Sequence, residues 1–169
     1  DICSTYNFKA TCLRYFNAAG AEPTGALGES HDPETHLIPN ILTSAIFGEQ
    51  SLKVFGSDYD THDGTCIRDY VHVTDLAQAH LLGLENMKNE CGFSSYNLGC
   101  GDGFSVLDVI KSCQRVVGKR ISYDIEKRRA GDPDKLVADA SKAMRFLGWK
   151  PEFLDLDTII RTAWQWHTR

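Results

Sequence analysis

Short apolar segments alternate with amphipathic stretches along this chain of 169 residues, a pattern typical of α/β folds. Apolar runs predict strands over residues 10–16, 52–55, 66–73, 96–98 and 121–125. Apolar positions with helical spacing predict helices over residues 36–48, 75–88, 105–118, 141–148 and 156–167. Polar loops are expected over residues 56–65 and 127–135. The elements are short and mixed, so we expect a mixed accessory α/β domain rather than a complete doubly wound sheet.

Capping residues mark two of the predicted helices. Ser105, with Asp108 three residues later, has the spacing of a capping box, and Gly118 suits the end of the same helix. Ser141 is expected to cap a shorter helix that ends at Gly148.

The charge of the chain limits its partners. Acidic residues outnumber basic ones, and the formal net charge is −5. Nucleic acids and anionic membranes are bound through basic surfaces, so we expect neither as a partner. No apolar run approaches the roughly 20 residues that span a bilayer.

The six cysteines are scattered and form no C-x-x-C pair. An even number of cysteines in a secreted protein can indicate disulfides, but this chain is larger and less rich in cysteine than such scaffolds. We expect reduced, mostly buried thiols in a cytoplasmic protein. Neither the cysteines nor the six histidines suggest zinc-ligand spacing, so no metal is expected.

A glycine-rich segment, GCGDG at residues 99–103, lies between a predicted strand and a predicted helix. A dinucleotide-binding loop occupies such a position, and Asp124 lies at a suitable distance downstream to contact a ribose. However, Phe104 stands where the third glycine of that motif belongs, and Asp102 would repel a pyrophosphate. We interpret the segment as a tight structural turn that uses the conformational freedom of glycine.

Five segments together resemble one family, the UDP-glucose 4-epimerases of the extended short-chain dehydrogenases/reductases. They are LRYFNAAGA at 13–21, DTHDGTCIRDYVHVTD at 60–75, YNLG at 96–99, RRAGDP at 128–133 and LGWKP at 147–151. The Arg-Asp-Tyr-x-x-Val-x-Asp pattern is shared widely among these reductases, whereas the longer DGTCIRDYVHV string is typical of the 4-epimerases. The resemblance covers nearly the whole chain.

The resemblance implies a site for the charged part of a nucleotide sugar. Arg68 and Arg129 match the two arginines that bind the pyrophosphate, a role for which a planar guanidinium is well suited. Asp132 matches a position that hydrogen-bonds the nucleotide ribose, and Asn17 matches one that contacts the sugar diphosphate. A turn or helix-cap role is the alternative for Asp132.

Further positions are carried over in the same way. The resemblance implies that a strand borders the uracil and that the start of a helix contacts the phosphate, while two more side chains line the nucleotide pocket. These positions are, in that order, Lys53, Val54 and Phe55, then His36 and Leu37, then Tyr70 and Val106. Many relatives have Asn in place of His36, and Leu136 replaces a tyrosine that reaches the sugar in some of them. A core role is the alternative for Tyr70 and Val106.

The resemblance also implies NAD as cofactor, with Tyr15 and Phe16 as contacts from this chain. The family's catalytic tyrosine and lysine form a Tyr-x-x-x-Lys motif, and only Tyr123 and Lys127 have that spacing here. They lie in a predicted strand far from the family's position, so we treat the match as coincidence. No catalytic residue is therefore expected in this chain.

The resemblance implies the C-terminal part of a UDP-glucose 4-epimerase, which we expect to be inactive alone. Residues 1–169 would form a single UDP-sugar-binding domain, in which about 1–20 are a remnant of the NAD-binding Rossmann domain, namely its last helix and strand. UDP-glucose and UDP-galactose are the expected ligands. The parent is expected to be a homodimer formed mainly through helices outside this chain. A related UDP-sugar dehydratase, decarboxylase or epimerase, or a nucleotide-sugar-binding module without catalysis, are the alternatives.

Overall fold

The computed structural model describes residues 2–48, 51–88 and 92–169 as a mixed α/β arrangement. The helices are α1 (Ile2–Tyr6), α2 (Leu37–Phe47), α3 (Val73–Asn86), α4 (Val106–Val117), α5 (Ser141–Leu147) and α6 (Leu156–His167). The strands are β1 (Ala10–Tyr15), β2 (Asn17–Ala19), β3 (Leu52–Phe55), β4 (Ile67–Arg68), β5 (Tyr70–His72), β6 (Phe93–Leu98), β7 (Phe104–Ser105), β8 (Tyr123–Glu126) and β9 (Lys135–Leu136).

The strands form four small sheets. β1 pairs in parallel with β6, β2 with β5 and β3 with β8, while β4 lies between antiparallel β7 and parallel β9. Because β1 pairs over its full length with β6, the first residues of the chain are tied to a segment about eighty positions later. The division of the chain into domains stays a prediction.

Two groups of buried side chains form the core. The larger one joins α2, α4 and α6 to β2 and β3, and its fully buried members include Ile41, Leu42, Ile110, Ile159 and Ile160. The smaller one lies between α3, α5 and β6, where Trp149, Tyr96 and Leu98 are buried. The indole nitrogen of Trp149 donates to the main-chain oxygen of Asp75 at 2.9 Å, which fastens the segment after α5 to α3.

The predicted helix ends are largely confirmed. Ser105 accepts a hydrogen bond from the Asp108 N–H at 2.9 Å, and the Asp108 carboxylate accepts from the Ser105 N–H at 3.2 Å. Gly118 and Gly148 end their helices in the left-handed conformation. Ser141, however, is the first helical residue rather than the cap, because the Asp139 carboxylate accepts its N–H from outside the helix.

Some predicted strands are wrong in their bounds. The single strand over 66–73 is divided into β4 and β5 at Asp69, whose main-chain oxygen turns toward Asn17. The strand over 121–125 is found at Tyr123–Glu126, and the expected loop over 127–135 ends in β9. Strands of two residues such as β7 and β9 show no periodicity, so sequence patterns do not reveal them.

The described cysteines Cys3, Cys12, Cys66, Cys100 and Cys113 are free thiols. Burial raises the pKa of Cys113 and of Cys100 to about 12. Cys12 is exposed, so the expectation of mostly buried thiols is only partly right. Among the helices that the structure describes, none has the length and apolarity to cross a membrane.

Candidate functional site

A cleft of about 820 Å³ opens at the carboxyl end of β1. Its walls come from β2 and the segment after it, the start of α2 and the end of α6. In parallel sheets, ligands bind at the carboxyl ends of the strands. Six of the predicted site residues line this cleft: Tyr15, Phe16, Asn17, His36, Leu37 and Tyr70.

Asn17 is held at the floor of the cleft by Asp69. The Asn17 main-chain N–H and side-chain amide nitrogen donate to the Asp69 main-chain oxygen at 3.0 and 2.9 Å. Both contacts follow from the pairing of β2 with β5, which sets Asn17 beside Tyr70. The amide nitrogen is thus engaged with protein, and the amide oxygen is the group that can accept from a ligand hydroxyl.

Arg68 is a largely buried cation, with 14% of its side chain exposed. Its guanidinium donates to the main-chain oxygens of Ile67 and Pro133 at 2.8 and 2.9 Å and lies 3.5 Å from the Asp132 carboxylate. These contacts fix the side chain at the end of β4. Fixed guanidinium groups bind phosphate oxygens well because little side-chain freedom is lost on binding.

Arg129 and Asp132 are brought together by a tight turn. The Asp132 N–H donates to the Arg129 main-chain oxygen at 3.4 Å, and Gly131 supplies the positive φ of 84° that the turn requires. The Arg129 guanidinium lies over the Phe55 ring, 4.0 Å from its centroid. Two arginines, a carboxylate and an aromatic ring therefore meet at one place.

β3 offers a free main-chain edge beside this group. Leu52 and Gly56 donate their N–H groups to the β8 side, so alternation turns the main-chain groups of Lys53 and Phe55 away from β8. Within the described part of the chain, β8 is the only strand that pairs with β3. An unpaired strand edge can hydrogen-bond the polar edge of a base.

Other predicted lining residues are partly or wholly in the core. Val54 is buried, and the Lys53 ammonium extends to solvent, 3.5 Å from the Glu126 carboxylate. Val106 begins α4 and packs partly against the larger core cluster. Tyr70 belongs to the same cluster while also lining the cleft, and burial raises the pKa of its hydroxyl.

His36 and Leu37 occupy the start of α2. His36 is the residue before the first helical turn and makes no side-chain cap. Its Nδ1 instead contacts the Glu29 carboxylate at the rim of the cleft. The His36 ring and the first turn of α2 are therefore close to the cleft, and the turn presents N–H groups that suit an anion.

Tyr59 and Arg128 lie next to Arg68, Arg129 and Asp132. Neither is among the residues predicted for the site. The Tyr59 ring is buried beneath Gly56, and Arg128 lies 4.0 Å from its centroid. The Tyr59 hydroxyl is buried and has no hydrogen-bond partner among the described residues. Burial, together with the charge of Asp132, raises the pKa of this hydroxyl.

The glycine-rich loop 99–103 binds a carboxylate of the protein itself. The N–H groups of Cys100 and Gly101 donate to the two Asp69 carboxylate oxygens at 2.8 and 3.4 Å, and the Ala138 N–H donates at 3.1 Å. A Cβ at Gly99 would lie 2.3 Å from the same carboxylate. The donors that a dinucleotide would need are used by Asp69, which supports the interpretation of a structural turn.

His72 links α3 to α6 behind the cleft. Its Nδ1 accepts from the Thr74 N–H at 3.1 Å, so Nε2 carries the proton and donates to the Thr162 hydroxyl at 3.0 Å. That hydroxyl also accepts from the Ala21 N–H and donates to the Ile159 oxygen. Burial lowers the pKa of His72, which keeps the ring neutral.

Tyr123 and Lys127 do not form a catalytic pair in this geometry. Tyr123 begins β8, and residues four apart along an extended strand are separated by about 13 Å. In a helix, by contrast, this spacing places the two side chains on neighbouring turns of the same face.

Comparisons with known proteins relate the chain to one family. The model of the NAD dependent epimerase/dehydratase family matches residues 1–99. A UDP-glucose 4-epimerase of Lactobacillus helveticus is 53% identical over 94% of this chain and 48% of the relative. One from Halalkalibacterium halodurans is 49% identical over 96% of this chain and 48% of the relative.

A solved structure shows the same fold. The UDP-glucose 4-epimerase from Bifidobacterium longum, crystallised in complex with NAD⁺ and UDP, is 40% identical and superposes with a TM-score of 0.91. The match covers 99% of this chain and 50% of that one. The chain spans about half the length of the curated relatives it matches.

Proposed function

The chain belongs to the NAD-dependent epimerase/dehydratase family, and on this basis we propose that it carries the nucleotide-sugar half of a UDP-glucose 4-epimerase site. The observation that carries the proposal is the meeting of Arg68, Arg129 and Asp132 beside the free edge of β3. A nucleoside diphosphate has two anionic phosphates, ribose hydroxyls and a base with a polar edge. Each has a matching group here.

Arg68 and Arg129 bind the two phosphates in this proposal. Arg129 leaves the Phe55 ring or tilts on it, whereas Arg68 is already fixed by main-chain oxygens. The Asp132 carboxylate accepts from the ribose hydroxyls, and the Lys53 and Phe55 main chain pairs with the uracil. Asn17 in β2 lies opposite Tyr70 in β5, two residues after Arg68. Its amide oxygen accepts from the sugar end of the ligand in this proposal.

In this proposal NAD contacts the chain at the cleft, whose lining includes Asn17 but not Arg68, Arg129 or Asp132. Tyr15, 45% exposed, and Phe16 stand where β1 ends, and they offer an aromatic wall to the nicotinamide side of the cofactor. When bound, NAD would supply the hydride-transfer chemistry at the sugar's C4. This chain's residues hold the sugar and restrict water at that position.

Epimerisation needs a tyrosine base and a lysine that this sequence does not offer in a suitable pair. We therefore expect the chain to bind a UDP-sugar without turning it over. Incubation of the purified chain with NAD and UDP-galactose should yield no UDP-glucose above an enzyme-free control. Turnover at a rate that scales with the concentration of the chain would contradict this part of the proposal.

The cellular setting is part of the same proposal. The five described cysteines are free thiols, which fits the reducing cytoplasm. The homodimer expected of the parent protein stays a prediction.

A further inference from the structure

The loop between β2 and α2 brings four side chains to the rim of the cleft. They are Glu29, His31, Glu34 and His36, and one nitrogen or oxygen from each lies within 4.8 Å of all the others. Nothing in the proposed nucleotide-sugar site requires this convergence. Two histidines and two carboxylates are the donor set of a borderline divalent cation.

The separations of these atoms are close to those of a coordination shell. Nδ1 of His31 lies 2.9 Å from a Glu29 oxygen and 3.8 Å from a Glu34 oxygen. Nδ1 of His36 contacts the same Glu29 oxygen and lies 3.4 Å from Glu34. Bonds of about 2.0–2.2 Å separate neighbouring tetrahedral ligands by about 3.3–3.6 Å, so small rotations bring all four to one ion.

The main chain that carries these ligands is anchored. The indole nitrogen of Trp166 donates to the Glu29 main-chain oxygen at 2.8 Å, and the same ring covers Gly28, where a Cβ would approach to 2.3 Å. One oxygen of Glu34 accepts from the N–H groups of Thr35 and His36. A binding site held by such contacts loses little freedom when an ion enters.

The charges also favour a cation. The two carboxylates are mostly buried, with side chains 20% and 18% exposed, and histidines are their only ion-pair partners within the described ranges. Two carboxylates and two neutral imidazoles balance the charge of one divalent ion. The full negative charges of the two carboxylates are larger than the partial positive charge at the N-terminus of α2, which begins at Leu37.

We propose that Glu29, His31, Glu34 and His36 bind one divalent cation such as Zn²⁺. The bound ion stabilises the loop between β2 and α2 at the rim of the cleft. Each histidine would coordinate the metal through Nδ1, with its ring proton on Nε2. Both rings are more than half exposed, so solvent can transfer these protons. The proposal does not rest on the proposed function.

A second group, His62 with Asp63 and Asp108, provides the control. Its carboxylates already accept from Ser105 and Thr65, so His62 is the only member that is not committed to holding the turn before α4. Hydrogen bonds from Ser105 and Thr65 outweigh the effect of burial and lower the pKa of Asp63. A variant at His62 therefore removes an exposed histidine without touching the proposed ligands.

The test is a titration of the metal-stripped chain with Zn²⁺ followed by calorimetry, and with Co²⁺ followed by its visible spectrum. We expect one ion per chain and the intense bands of four-coordinate Co²⁺, without a thiolate charge-transfer band. His31→Ala and His36→Ala should each weaken binding by at least about 100-fold, because loss of a ligand exceeds the roughly 10–100-fold effect of supporting residues. His62→Ala should bind as the parent chain does.

Glu29→Gln serves as a milder variant that keeps the shape of the side chain, and far-ultraviolet circular dichroism checks that every variant is folded. It should weaken binding by at least about tenfold, since a neutral amide is a poor zinc ligand. The proposal is overturned if no ion binds. It is also overturned if affinity is the same in the His31, His36 and Glu29 variants, or if the Co²⁺ spectrum shows coordination by cysteine.

Discussion

Asp69 organises more of the site than any residue that contacts the proposed ligand. Its carboxylate accepts three main-chain N–H groups, and its main-chain oxygen holds Asn17. It is fully buried, and it lies between β4 and β5, directly after Arg68 and before Tyr70. The Arg-Asp-Tyr motif thus combines one proposed ligand-binding residue with one that holds the loops.

Replacing Asp69 with alanine should destabilise the chain strongly. One buried and two partly buried N–H groups would lose their acceptor, and each unsatisfied buried donor costs about 1–3 kcal/mol. We expect the free energy of unfolding in urea to fall by about 3 kcal/mol or more. Asp102→Asn, in the same loop but exposed, is the control and should change it by less than about 0.5 kcal/mol. Similar losses in both variants would contradict this role of Asp69.

His72 should make stability depend on pH. Burial lowers its pKa in the folded chain and outweighs the charge of Asp75, so below about 6.5 the unfolded chain binds a proton that the folded chain does not. The free energy of unfolding should therefore decrease as pH falls below about 6.5, by up to about 1.4 kcal/mol per pH unit.

His72→Phe keeps an aromatic ring against Phe153, 4.0 Å away in the present stack, but removes the titration. Urea unfolding between about pH 7 and pH 5 should then show a shallower slope for this variant, although it is less stable throughout. An unchanged slope in His72→Phe would show that His72 does not carry the effect.

Residues differ in how far the sequence reveals them. Arg68, Arg129 and Asp132 could be identified because their motifs are distinctive, and their convergence is seen in the structure. Tyr59 could not, since burial of its hydroxyl depends on how the loop around Gly56 closes. The spacing of His31 and His36 does not predict the proposed metal site, because a sequence does not show which way a loop turns its side chains.

Elements with strong periodicity or caps are the ones that the sequence predicts well. Helix α6 has the predicted bounds and α4 differs from them by one residue at each end, since an apolar face and a capping residue act together in each. The strand predicted over 66–73 is divided into β4 and β5, which join different sheets. Pairing partners decide where such short strands end, and those partners lie far away in the chain.

The capping box makes α4 sensitive to a single hydroxyl. Ser105→Ala removes the acceptor of the Asp108 N–H and also the donor to Asp63. We expect a loss of about 1–2 kcal/mol in the free energy of unfolding, measured by urea denaturation. Ser57→Ala at an exposed loop position should be nearly neutral. Equal effects of the two substitutions would argue against a capping contribution.

At the scale of the whole molecule, the two core clusters hold two kinds of functional surface together. The smaller cluster packs against β1 and β6, and Tyr15 and Phe16 lie at the carboxyl end of β1. The larger cluster packs against β3 and α4, beside the arginines. His72 and Thr162 connect the two. The mixed α/β class was predictable from the alternation of elements, but the division into four small sheets was not.

The most direct test of the central claim is a titration of the metal-free chain with UDP, followed by nitrogen–proton correlation spectra. This method detects the weak binding that we expect of half a cleft. The account predicts shifts at the amides of Phe55, Arg68 and Arg129. They should require about tenfold more UDP in Arg129→Ala and be unchanged in the exposed control Arg120→Ala. Absence of shifts at millimolar UDP, or shifts confined to α3 and α5, would contradict it.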